Sequence, residues 1–249
     1  MKKSVIGWTI AAILAVGGAA FAYLFWFAGG SGEPTTELTT PPVADATTTT
    51  SPASDTTAAG SDSTAAGSGV VAYVIDPGQS TASFELDEVL RGQDTHVVGT
   101  TDQVAGQVQV DTSDLSSAEF SEIIVNARTL TTGTEQRDRA IRGPVILDSA
   151  SDANELITFS VTSVDGLSGP ISSGETVEFT ITGDLTVKGT TQPVTFDASV
   201  TMLDDSTIEG TAAAEITRDM FGIGIPNVPS VADVTNEVLV ALDFVALAG

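Results

Sequence analysis

The stretch FTITGDLTVKGTTQPVTF, Phe179 to Phe196, keeps a two-residue beat through its first half. Phe179, Ile181, Gly183, Leu185, Val187 and Gly189 fall on one side, while Glu178, Thr180, Thr182, Asp184, Thr186 and Lys188 fall on the other. A period of two sends alternate side chains to opposite faces of a β-strand, here one dry and one wet. The dry face has two uses. It packs against another sheet as an ordinary core, or it lines a barrel with room for an apolar guest.

The same beat recurs in both directions along the chain. Ala82, Phe84 and Leu86 alternate with Ser83, Glu85 and Asp87, and Val104, Gly106, Val108 and Val110 alternate with glutamines. Ile157, Phe159 and Val161 form another dry face, as do Val194, Phe196, Ala198 and Val200. A last strand carries Val234, Val238, Val240, Leu242 and Phe244. Turn-forming clusters such as VDGLSGPISSGET and MLDDSTIEG separate these segments, as hairpin connections do. The beat breaks at Thr132–Gly143, where a short helix or turn is expected. About eight antiparallel strands with one wet face follow, a count that fits a two-sheet sandwich or a closed barrel.

The N-terminal third has a different character. Met1-Lys2-Lys3-Ser4 precedes an uncharged apolar run, residues 5–28, that ends in Phe21, Tyr23, Phe25, Trp26 and Phe27. At ~1.5 Å per helical residue such a run crosses a hydrocarbon core of roughly 30 Å. The lysines place residues 1–4 in the cytoplasm and the aromatic cluster at the far interface. A cleaved signal peptide is the rival, since Ala20-Phe21-Ala22 has suitable small residues. The apolar run continues past that site, which favours a single-pass signal anchor with the rest of the chain outside the cytoplasm. Residues 29–70 are rich in Thr, Ser, Ala, Gly and Pro and contain no aromatic side chain, which reads as a disordered tether. As a flexible coil it would reach on the order of 35 Å. Residues 71–249 then form one domain with enough length for a core.

Composition narrows the function classes. The chain has 33 acidic and 9 basic residues, a formal charge of -24, which disfavours nucleic acid as a partner. It has no Cys and one His, so thiolate chemistry and a site of several His ligands are excluded. His96 reads as a half-exposed surface residue. No G-x-S-x-G elbow, P-loop or G-x-G-x-x-G is present. An enzyme is therefore not expected.

Five stretches in order resemble the YceI-like domain family, a lipocalin-like antiparallel barrel. They are YVIDPGQSTASFEL, RDRAIRGPVILD with Arg137 and Asp138, GDLTVKGTTQPVTF, ITRDMFGIG with Arg218 and Gly222, and the closing apolar strand. The resemblance spans Tyr73 to Leu247. Ala140 stands where that family carries a His, and Val145 and Ile146 stand near its aromatic pair, so roles of those side chains do not transfer.

The resemblance implies a long apolar tunnel holding an amphiphile with an isoprenoid tail, a polyprenyl lipid or a quinone, and no other cofactor. Its lining would be Phe84, Leu86, Val108, Phe159, Val161, Phe179, Ile181, Leu185, Val187, Phe196, Val240 and Phe244. An eight-stranded barrel is wide enough either to be filled by its own side chains or to hold one small ligand. Small inward residues, namely Ala82, Gly106, Gly183, Gly189, Ala198, Gly210, Ala212 and Ala214, favour the second, although strand glycines also mark bulges and bends. Four arginines cluster between Arg128 and Arg142. Arg137 suits an ion-pair network with Asp138 and other carboxylates that pins the helical segment to the rim, and Arg218 suits a like role with Asp219, while Arg139 and Arg142 are the better candidates for a phosphorylated head group. The expected function is a membrane-tethered, extracytoplasmic binding protein that holds or carries an isoprenoid-type amphiphilic lipid. The alternative is a surface-displayed β module with a filled core that binds a protein or the cell wall.

Overall fold

A computed structural model describes residues 30–43 and 69–249. The expected cytoplasmic residues 1–4, the expected membrane span 5–28 and most of the expected tether, 29 and 44–68, lie outside the described residues.

The domain is all-β with one short helix. Its strands are β1 (Val70–Ile75), β2 (Thr81–Leu90), β3 (Gln93–Thr101), β4 (Val104–Ala105), β5 (Gln107–Asp111), β6 (Glu119–Phe120) and β7 (Ile123–Asn126). After helix α1 (Glu135–Arg142) come β8 (Leu156–Asp165), β9 (Thr176–Val187), β10 (Thr190–Asp204), β11 (Thr207–Thr217), β12 (Val231–Ala232) and β13 (Glu237–Ala248). The helix falls where the two-residue beat breaks. Its 13 strand segments exceed the expected eight because several runs are interrupted, as at Gly106 within the β4–β5 run.

All pairings are antiparallel, in the order β4-β7-β8-β9-β10-β11-β13-β1-β5-β6, with β2 also beside β13. The two ends of this order are neighbours along the chain, since β4 and β5 flank Gly106 and β6 and β7 flank residues 121 and 122. The sheet is therefore strongly curled, and its dry faces look inward. Along β9, Ile181, Gly183, Leu185 and Val187 are buried while Glu178 and Asp184 are exposed, as the beat requires.

Gly189 does not belong to that dry face. Val187 pairs with Thr190 across a two-residue turn, Lys188-Gly189, whose φ angles are 51° and 69°. Positive φ at both turn positions matches the twist of the flanking strands, and glycine adopts it without strain.

Other strand glycines make no empty space either. A Cβ on Gly183 would lie 2.7 Å from Phe159 Cζ, and one on Gly210 would lie 2.9 Å from Phe244 Cζ. Gly99, paired with Phe84, is likewise covered by that ring. Each glycine lets a cross-strand aromatic lie flat on the sheet, which recovers apolar contact that glycine itself lacks.

Phe159 also meets Phe196 edge to face, with centroids 4.9 Å apart. It is 8% exposed. Phe159→Ala is therefore expected to cost about 3 kcal/mol, as for other buried aromatic truncations. A drop in denaturant midpoint at unchanged m-value would show it.

Candidate functional site

The inward faces do not fill the interior. A cavity of about 590 Å³ runs between them, a size that suits a small-molecule site. Of the twelve residues expected to line a tunnel, all but Val161 line it. Val161 instead packs at the margin of the core around Phe159, next to the register shift between Val161 and Ser163. Of the small residues expected to open space, Ala82, Ala198 and Ala212 do line the cavity. The room comes from them and from the curl of the sheet.

The two ends of the cavity differ in chemistry. Register places Thr217 opposite Glu237, Leu90 opposite Val231, and the Lys188-Gly189 turn at one end. Charged lining residues Glu88, Arg91, Arg137 and Arg218 all belong to this end, with Ile225, Pro226 and Val228. At the opposite end, where Tyr73 pairs with Ala248 and Val70 with Asp111, the lining is Thr112, Leu115, Ala118 and Ile171, with no charge. An elongated apolar space with polar groups at one mouth matches an amphiphile.

The arginines sort only in part as the sequence suggests, with a carboxylate pinning the helix through Arg137 but with other partners elsewhere. Arg137 reaches Glu88 on β2 at 2.7 Å and so pins α1 to the mouth. Asp138 turns the other way and accepts bonds from the Thr131 hydroxyl and from the amide and hydroxyl of Thr132. Consecutive helical side chains diverge, so no Arg137–Asp138 pair forms. Arg218 donates to the carbonyls of Thr235, Ile223 and Val234, not to Asp219. Arg139 pairs with Glu135 along the outer face of α1, and Arg142 is buried with its guanidinium against Gly32. Neither lines the cavity. Arg91, exposed beside Ser230 on the rim, was not anticipated, because an isolated Arg-Gly turn carries no signal of what it borders.

A second polar centre lies beside the mouth. Glu155, fully buried, accepts from Asn126 Nδ2 at 2.9 Å, from the Thr35 amide at 2.8 Å and from the Thr36 amide at 3.1 Å. The Thr35 hydroxyl also donates to it, and Arg128 Nη1 lies 3.3 Å from its Oε2. Arg128, 5% exposed, is held by the Ser149 and Ala150 carbonyls and by Asp152. Residues 30–43, within the stretch that composition reads as tether, thus lie along the barrel. Farther on, Gln107 donates to the Pro41 carbonyl at 2.9 Å. Among the described residues no buried side-chain nitrogen or oxygen lacks a partner.

Burial alone would push the Glu155 carboxyl up, but hydrogen bonds from Thr35, Asn126 and Thr36 outweigh it and hold its pKa at about 2, below the ordinary 4.5. A depressed carboxylate pKa contributes stability that is whole above the ordinary value and is lost as pH falls toward the folded value. The gap in denaturant midpoint between the native chain and Glu155→Gln is therefore expected to be constant above pH 5 and to shrink between pH 4.5 and 2. His96 bridges Asp87 and Glu85 on the exposed face of β2, and those bonds, Asp87 first, raise its pKa. Among the described residues no acidic or imidazole cluster has the arrangement of a metal site.

A family profile described as YceI-like domain matches residues 73–246. No curated protein sequence matches the chain. Among solved structures, a polyisoprenoid binding domain from Saccharophagus degradans implicated in plant cell wall breakdown is similar at 16% identity and a TM-score of 0.57, covering 72% of this chain and 99% of that one. Burkholderia cenocepacia BcnA is similar at 19% identity and 0.53, covering 69% and 98%. The Campylobacter jejuni YceI protein matches at 15% identity and 0.50, covering 63% and 88%. At these identities the likeness speaks to the fold.

Proposed function

The chain belongs to the YceI-like domain family, and from that membership and the shape of its interior we propose that it is a membrane-tethered, extracytoplasmic binding protein for an isoprenoid-type amphiphile. The observation that carries the proposal is the apolar cavity of about 590 Å³ with its charged residues at one end. The tail enters the cavity because each Å² of apolar surface removed from water contributes ~25 cal/mol. The head group stays at the mouth, near Arg91 and the Glu88–Arg137 pair. The likeness to a polyisoprenoid binding domain supports that ligand class. The role is binding, with no chemical step assigned. The uncharged run at residues 5–28 supports the membrane anchor, and Lys2 and Lys3 ahead of it support the outward orientation.

The test is mass spectrometry of an organic extract from residues 30–249, exported from the cytoplasm and purified without detergent. A stoichiometric isoprenoid species is expected. An empty extract, still empty after incubation with a quinone and a polyprenyl phosphate, would favour the surface-displayed module that binds a protein or the cell wall.

A further inference from the structure

We propose that residues 30–43 hold the charged mouth of the cavity against the bilayer that the N-terminal apolar run enters, so that the rim at Arg91, Ile225, Pro226 and Val228 is a lipid-surface docking site. This rests on the membrane-anchored lipid-binding reading above and adds an orientation to it.

Residues 30–43 form a strap whose first residues lie at the mouth end of the domain. Gly30 lies near Ala150, Gly32 against Arg142, and Thr35 on Glu155. That part of the domain borders the Lys188-Gly189 turn, since a Cβ on Gly189 would lie 3.5 Å from Asn154 Oδ1 and Lys188 Nζ donates to the Val145 carbonyl. The turn is at the mouth end, together with Arg137, Glu88 and the Thr217–Glu237 pair. Only Gly29 separates Gly30 from Ala28, the last residue of the apolar run. The strap then runs away from the mouth, past Val104 and Ile75 to Gln107. Val70, where β1 begins, pairs with Asp111 at the opposite end.

A chain that enters a membrane at Ala28 and is clamped from Thr35 onward has few residues of slack. The mouth must therefore lie close to the bilayer. The far end, about 35–40 Å away along the 12 residues of β13, must not. The rim suits the contact. Ile225 is 36% exposed, Pro226 and Val228 are half-buried at the lip of the cavity, and Arg91 is an exposed cation among them. An acidic protein with charge -24 would be repelled by an anionic leaflet, so the surface that fits is zwitterionic. With the lip on the bilayer, a tail passes from acyl chains into the cavity without crossing water.

The chain has no Cys, so a single introduced thiol reports one place. Full-length Ile225→Cys marks the mouth, and full-length Leu203→Cys marks the far end beside the β10–β11 turn. Each is labelled with a fluorophore and reconstituted in phosphatidylcholine vesicles containing bromo-lipids. Quenching is expected to be several-fold stronger at 225 than at 203, and the added pair Thr35→Ala and Thr36→Ala, which removes the two hydroxyl bonds to Glu155 and leaves the amide bonds, should narrow the difference. Equal quenching with the strap intact, or stronger quenching at 203, would overturn the orientation. The lipid-binding reading is tested separately, by uptake of a fluorescent isoprenoid analogue by the same vesicle-bound preparations. A chain that fails to float with the vesicles overturns the anchor and this inference together.

Discussion

Isoprenoid uptake by Ala198→Phe is expected to fall at least about tenfold, a loss of ~1.4 kcal/mol or more in binding, while the denaturant midpoint stays level or rises. Ala198 is 8% exposed, pairs with Phe179 on β9 and Ala212 on β11, and lines the cavity. A phenyl ring there occupies space that a tail would use. In a filled interior the same ring would force neighbours off their rotamers at about 1–3 kcal/mol. Binding and stability therefore separate the two readings of the dry face. Loss of stability without any bound lipid to lose would mean a solid core. Gly183→Phe is not an equivalent plug, because its Cβ would run into the Ser160 carbonyl and the Phe159 ring, so that change breaks the sheet instead of filling the space.

The strands were legible because burial on one side of a sheet imposes a period of two on the sequence. Phe179 to Val187 shows that period plainly, and so does the inward series on β13. The same rule misplaced Gly189, since a two-residue turn continues the alternation on paper while the chain reverses. It also could not tell a glycine that opens space from one that seats an aromatic ring. That distinction depends on the residue across the strand, as with Phe244 over Gly210, and register is a long-range property.

The apolar half of the site was readable for the same reason, and eleven of its twelve expected residues line the cavity. The polar half was not. Charge spacing along a helix says which side chains share a face, but not which element lies opposite. Arg137 meets Glu88, 49 positions away, and Arg142 lies against Gly32. The strap left no trace at all. Its docking uses Thr hydroxyls and backbone amides on a buried carboxylate, and neither hydropathy nor period registers such bonds.

Glu155→Ala is expected to be the most damaging single change at this second centre, costing about 3–5 kcal/mol, because removing one member of a buried charged network strands the others. The amides of Thr35 and Thr36 and the Asn126 side chain lose their common acceptor, and Arg128, 5% exposed, keeps only carbonyls, the Thr35 hydroxyl and the outer carboxylate of Asp152. Asp152→Ala supplies the contrast. That side chain is 84% exposed, so its ion pair with Arg128 contributes about 0–1 kcal/mol. Equilibrium denaturation of both variants measures the gap. Combining Glu155→Ala with Thr35→Ala and Thr36→Ala should cost less than the sum of the separate losses, because the hydroxyl bonds that the Thr changes remove are already lost with their acceptor in Glu155→Ala. A fully additive result would mean that the buried carboxylate holds the barrel wall alone and that the strap is anchored elsewhere, through Arg142 and Pro41. Near-complete overlap would mean that Glu155 is buried in order to hold the strap.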